Sequence, residues 1–164
     1  AEQSRHVAML ARVLNEHAAQ PVDTGRAIEL LLVHDLVEID AGDTFAYDQA
    51  GAATQEVRER RAAERIFGLL PEAQAQQLRA RWEEFVASET PEARFALAVD
   101  RLMPMLHNAL TEGRAWRAHN VTADRVRQRA ESISRGAPAL GELARQQIDA
   151  SVAAGILPER TAEH

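Results

Sequence analysis

Ile28-Glu29-Leu30-Leu31-Leu32-Val33-His34-Asp35-Leu36-Val37-Glu38-Ile39 is the stretch on which the fold turns. It lies in a helix predicted over 24–40, where Ile28, Leu31, Leu32, Val37 and Ile39 make an apolar body that must be largely buried. His34, Asp35 and Glu38 nevertheless sit within it. Polar groups buried without partners cost several kcal/mol, so these three must be hydrogen-bonded, ion-paired or bound to metal.

Working outward, Val7, Met9, Leu10, Val13 and Leu14 recur at helical spacing and predict a helix over 2–19. Pro21 ends it, and Asp23 or Thr24 caps the next. Beyond residue 40, the run from Ala41 to Asp48 is turn-rich and reads as an ordered loop before a charged helix over 52–68, whose Glu and Arg residues suit a solvated face. Pro71 opens a helix to 87, and Pro91 opens one carrying Phe95, Leu97, Val99, Leu102, Met103 and Leu106. Pro104 in that helix is expected to kink it near Asp100. Thr122 and Asp124 start a further helix to 134, and Pro138 a last one ending near Gly155. No alternating strand-like run occurs, so the fold class is all-α.

A chain of 164 residues, 46% of them hydrophobic, suits one domain over 1–164 with a genuine core. Its net charge of −6 disfavours nucleic acid as a partner. With no cysteine, disulfides, thiolate nucleophiles and cysteine-held zinc are excluded. The basic residues are all Arg, which fits a composition bias. No targeting or membrane-spanning run is present in the sequence, which makes cytoplasmic the default expectation.

His34, Asp35, Glu38 and Asp43 place four ligand or acid/base groups within ten positions. Adjacent helix residues point about 100° apart, so His34 and Asp35 share one ion only if it sits over the edge between them. Glu38 lies one turn past His34 on the same face. The spacing admits two readings: a buried structural His-Asp pair, or an imidazole and carboxylate set for a divalent first-row metal whose bound water becomes a nucleophile.

The run from His34 to Thr44 resembles the signature of the HD-domain metal-dependent phosphohydrolases, in the branch that includes bacterial 5'-deoxynucleotidases. Val99-Asp100-Arg101-Leu102 is similar to that family's distal aspartate motif, and Glu2-Gln3-Ser4-Arg5-His6-Val7-Ala8-Met9 to its opening helix. Trp116 to Thr122 and Gly155 to Pro158 add to the resemblance. It implies a compact multi-helix bundle in which His34, Asp35 and Asp100 hold a divalent ion: manganese, cobalt, iron, zinc or magnesium. Glu38 would orient or activate the attacking water, and Asp43 would lie close to substrate and water. The implied substrate is a small phosphorylated metabolite, a (deoxy)nucleoside 5'-monophosphate foremost. Family members are often dimers, and apolar stripes in excess of the needs of one small core make a homodimer the expectation here.

The chain departs from the family pattern at the first metal ligand, where Gln3 stands in place of His. Gln is a poorer donor to a borderline metal. His6 is a substitute only if ion or helix shifts, because it lies roughly 4.5 Å further along the axis. Direct or water-mediated participation by Gln3 is the preferred expectation. The alternative is a degenerate member that binds a ligand or partner without turnover. Family members also carry a helix and a loop ahead of the first motif, which this sequence is expected to lack. Of the remaining residues, His107 reads as a boundary histidine, His17, His119 and His164 as surface or loop groups, and Trp82 and Trp116 as core or interface. Arg94 and Arg101 are weighed as phosphate contacts against the usual solvated or ion-paired role.

Overall fold

The structure, a computed structural model, describes residues 2–42, 47 and 49–159. Its helices are α1 (Glu2–Leu14), α2 (Thr24–Ala41), α3 (Gln49–Phe67), α4 (Glu72–Ala87), α5 (Pro91–Leu110), α6 (Arg114–Ala118), α7 (Ala123–Gly136) and α8 (Pro138–Ala153), with one 3-10 turn over Asn15–His17. Among the described residues there is no strand, in keeping with the all-α expectation. No helix among them is long and apolar enough to cross a membrane.

Side-chain caps set where the two central helices begin. The Asp23 carboxylate accepts from the Arg26 backbone N–H at 3.1 Å and starts α2. Thr90 does the same for α5, accepting from Ala93 N–H at 3.2 Å, with Pro91 at the first helical position. α5 continues through Pro104 to Leu110. The first helix is shorter than predicted, ending at Leu14 in the 3-10 turn, and α3 starts earlier, at Gln49.

α6 has no counterpart in the sequence pattern, because tertiary contacts make it. The Asn108 side-chain oxygen accepts from the backbone N–H groups of Ala115 (3.2 Å) and Trp116 (3.3 Å), supplying an acceptor the short helix lacks. Gly113 precedes it at φ +67°, and a Cβ there would lie 2.6 Å from Ile156 Cγ2, so only glycine fits. Trp116 is thereby buried in the core.

α2 is the central element, packed on α1, α3, α4 and α5. Ala27, Leu30 and Leu31 join a large apolar cluster with α1, α5, α7 and α8, while Val33, Val37 and Ala41 join a smaller one with Ala62, Ala63, Phe67 and Trp82 of α3 and α4. The expectation that Leu32 and Ile39 are buried fails: they are 40% and 73% exposed, and Leu36 is 41% exposed. These three fall on one side of the helix, i, i+4 and i+7, opposite the buried face, and among the described residues no neighbouring helix covers that side.

The most extensive helix pair is α5 with α7. A Cβ on Gly136 would meet the Arg94 carbonyl oxygen at 2.1 Å and the Ala98 Cβ at 2.9 Å, so the backbones touch at this glycine.

Candidate metal centre

α2 carries His34 and Asp35 on the edge facing α5, and α5 brings Asp100 to them. One donor atom from each residue lies within 4.8 Å of the others, and all three side chains are partly buried. Among the described residues this is the one group of His, Asp and Glu that converges so closely. Phe85 of α4 sets the imidazole plane, its ring centroid 4.3 Å from that of His34 at a tilt of 32°. His34 Nδ1 is buried with no hydrogen-bond partner, and the nearest carboxylate oxygen, Asp35 Oδ1, stands 3.8 Å away, too far for a hydrogen bond.

The charges are unbalanced in the direction a cation corrects. Burial works against a charged His34, but the carboxylates of Asp35, Asp100, Glu38 and Glu59 outweigh it and raise its pKa. Burial likewise pushes Asp35 up, yet the His34 imidazole and the Ser4 hydroxyl of α1 hold its carboxyl below the usual range. For Asp100 burial prevails, and its pKa is raised despite the pull of His34. The set fits a divalent ion: it offers an orphaned imidazole nitrogen and two carboxylates, the donor mix of first-row metals. Tetrahedral ligands about 2.1 Å from an ion sit about 3.4 Å apart, so binding asks for side-chain rotations of an ångström or so.

Of the other predicted site residues, Glu38 lies one turn past His34, partly buried and close enough for its charge to act on the imidazole. Asp43 lies outside the described residues, as does His164. Gln3 and His6 are both exposed on α1, and His6 does not join the converging group. Gln3 is the neighbour of Ser4, whose hydroxyl acts on Asp35, which puts the first turn of α1 at the edge of the cluster. His17, His107 and His119 are exposed, so His107 belongs to the surface rather than the boundary, whereas Trp82 and Trp116 are buried as expected. Sequence reasoning missed the stacking of Phe85 on His34 and the contribution of Ser4. Both depend on how helices distant in sequence meet, and neither residue carries a local signal.

A family model described as HD domain matches residues 1–141. A crystal structure of a predicted metal-dependent phosphohydrolase from Magnetospirillum magnetotacticum is 49% identical, with a TM-score of 0.91, over 96% of this chain and 79% of that one. The 5'-deoxynucleotidase HDDC2 of Danio rerio is 35% identical over 81 residues, which are 49% of this chain and 40% of the relative. Its Homo sapiens counterpart is 30% identical over 95 residues, 58% of this chain and 45% of the relative. The chain thus spans less than half the length of these curated relatives.

Proposed function

The chain belongs to the HD domain family, and from that premise we propose that it is a metal-dependent phosphohydrolase of small phosphate monoesters, with (deoxy)nucleoside 5'-monophosphates as the substrate class. The observation that carries this reading is the convergence of His34, Asp35 and Asp100, one donor atom from each within 4.8 Å of the others, in a site where the His34 Nδ1 is buried without a hydrogen-bond partner. His34, Asp35 and Asp100 would hold a divalent ion, which when bound would acidify water near neutral pH and offset charge on the phosphoryl oxygens. Glu38, one turn from His34 and already coupled to it electrostatically, is assigned to receive the proton of the attacking water. Asp43 is assigned, by family resemblance, a place close to substrate and the same water. Phe85 packs against the His34 ring and restricts its rotation.

Incubation of the purified protein with manganese, cobalt, iron, zinc or magnesium and a panel of nucleoside monophosphates tests this reading. Release of inorganic phosphate is expected, and its loss in Asp100→Asn. Absence of phosphate release with every metal and nucleotide would refute it. Gln3 motivates a second reading, a member that binds without turnover, and tight metal and nucleotide binding with no turnover would favour it. The proposal includes a homodimer, for which the uncovered Leu32, Leu36 and Ile39 face of α2 supplies apolar surface.

A further inference from the structure

We infer that Arg101 of α5 and Arg129 of α7 form a paired clamp for the dianionic phosphoryl group of the substrate, on the α7 side of the His34, Asp35 and Asp100 cluster. The inference rests on the phosphohydrolase reading and adds the residues that receive the phosphate. Helix register carries the first step. Gly136 near the end of α7 meets Arg94 and Ala98 near the start of α5. Since α5 and α7 are also the most extensively packed pair, they run antiparallel. Seven residues back from Gly136 is Arg129, and seven on from Arg94 is Arg101. Two turns along each helix, about 10.5 Å, therefore bring the two arginines opposite each other.

Chemistry carries the second step. Both residues are partly buried, and the charges of both act on the Asp100 carboxylate, so they border the metal cluster. Among the described residues neither lies within 4.0 Å of a carboxylate oxygen, whereas Arg26, Arg65, Arg81, Arg127 and Arg145 each do. The two guanidinium groups repel each other, burial and the Arg129 charge together lowering the Arg101 pKa, and among the described residues neither makes a close ion pair, an arrangement that suits a ligand bringing two negative charges. Arg125, one turn before Arg129, is already engaged: its guanidinium donates to the Tyr47 carbonyl and lies 5.6 Å from the Tyr47 ring centroid. Arg129 also acts on Tyr47, so its charge reaches both that residue and Asp100. A phosphate monoester with one face toward the metal cluster would present its remaining oxygens to two forked donors, the geometry in which arginine binds phosphate best.

Calorimetric titration of the metal-loaded full chain with inorganic phosphate, alongside steady-state kinetics, tests the clamp. Arg129→Gln and Arg101→Gln should each weaken phosphate binding by about ten- to a hundredfold, with KM rising in step and metal affinity unchanged or slightly improved. Arg129→Lys should recover only part of the loss, because an ammonium cannot bind two oxygens in one plane. Arg127→Gln removes the same charge from the outer side of α7, where Arg127 pairs with Asp149 and Glu159, and should change phosphate affinity by less than about twofold. Folding is checked independently by a cooperative melt without phosphate in every variant; added phosphate should then raise the melting temperature of wild type and of Arg127→Gln but not of the clamp variants. Phosphate affinity equal to wild type in both Gln variants would overturn the clamp even if hydrolysis proceeds. Selective loss of phosphate binding in a protein that hydrolyses no monoester would support the clamp and remove only the hydrolase reading.

Discussion

Glu84 on α4 holds together the two helices that supply the metal cluster, and replacing it with Gln tests that claim quantitatively. Its Oε2 accepts from Arg26 Nη2 of α2 at 2.6 Å, and its Oε1 accepts from Arg26 Nε at 3.2 Å and from the hydroxyl of Thr90, the cap of α5, at 2.7 Å. The Glu84 side chain is 11% exposed and that of Arg26 38%. Hydrogen bonds to a charged group are worth about 1.5–3 kcal/mol each, but the amide oxygen of Gln still accepts and water reaches Arg26, so the net loss comes to about 2 kcal/mol. For a chain of this length that lowers the melting temperature by about 4–8 °C. Burial pushes the Glu84 pKa up, but Arg26 and Thr90 outweigh it and hold the carboxyl below its usual range. A depressed folded-state pKa means the stabilisation is complete above the unfolded value of about 4.3 and is lost as pH falls through the lower folded value. Thermal melts of wild type and Glu84→Gln should therefore differ by a constant amount at neutral pH and converge in acid. A gap that stays constant into the acid range, or no gap at neutral pH, would refute the reasoning.

Three further outcomes follow from the packing. Gln3→His should tighten divalent metal binding by at least about tenfold, the least that even outer partners of a metal site are worth, while turnover at saturating metal changes little; competition against a fluorescent chelator reads the affinity. Leu36→Asp with Ile39→Asp on the uncovered face of α2 should shift the protein to monomer in light scattering without lowering its melting temperature. Gly136→Ala should cost about 1–3 kcal/mol or more in chemical denaturation, because its methyl group meets the Arg94 carbonyl; a neutral result would put the α5–α7 register in doubt.

The cluster was legible in sequence because its signal is a local contradiction. His34 and Asp35 stand inside an apolar helix and announce buried polar groups needing a partner, whereas Asp100 joined them through the resemblance of Val99-Asp100-Arg101-Leu102 to the family's distal motif. Elements whose reason lies elsewhere in the chain were not legible. α6 exists because Asn108 and Ile156 shape it, and Leu32 and Ile39 resemble core residues until the other helices are seen to leave that side bare. Arg129 carries no more signal than any other arginine of a charged amphipathic helix. Its meaning comes from the register with α5 and from its charge acting on Asp100.

The exchange at the family's first ligand position bears on how tightly an ion is held more than on what the ion does. A metal-bound imidazole is neutral, so in the proposed site Gln3 would leave the charge count unaltered: Asp35 and Asp100 would bring two negative charges to a divalent ion, and the sum would be zero with three ligands or four. The attraction of that site for a phosphoryl oxygen depends on this sum, whereas affinity and rigidity depend on the number of donors. The raised His34 pKa adds to the affinity cost, because the imidazole must give up its proton before it can ligate. Arg101 and Arg129 then matter more here than in a four-ligand site. In the proposed site, with the acids of α2 and α5 neutralised by an ion, these two residues would supply positive charge to hold a dianion in place, and an ion held by fewer donors would gain from a phosphate anchored on both sides.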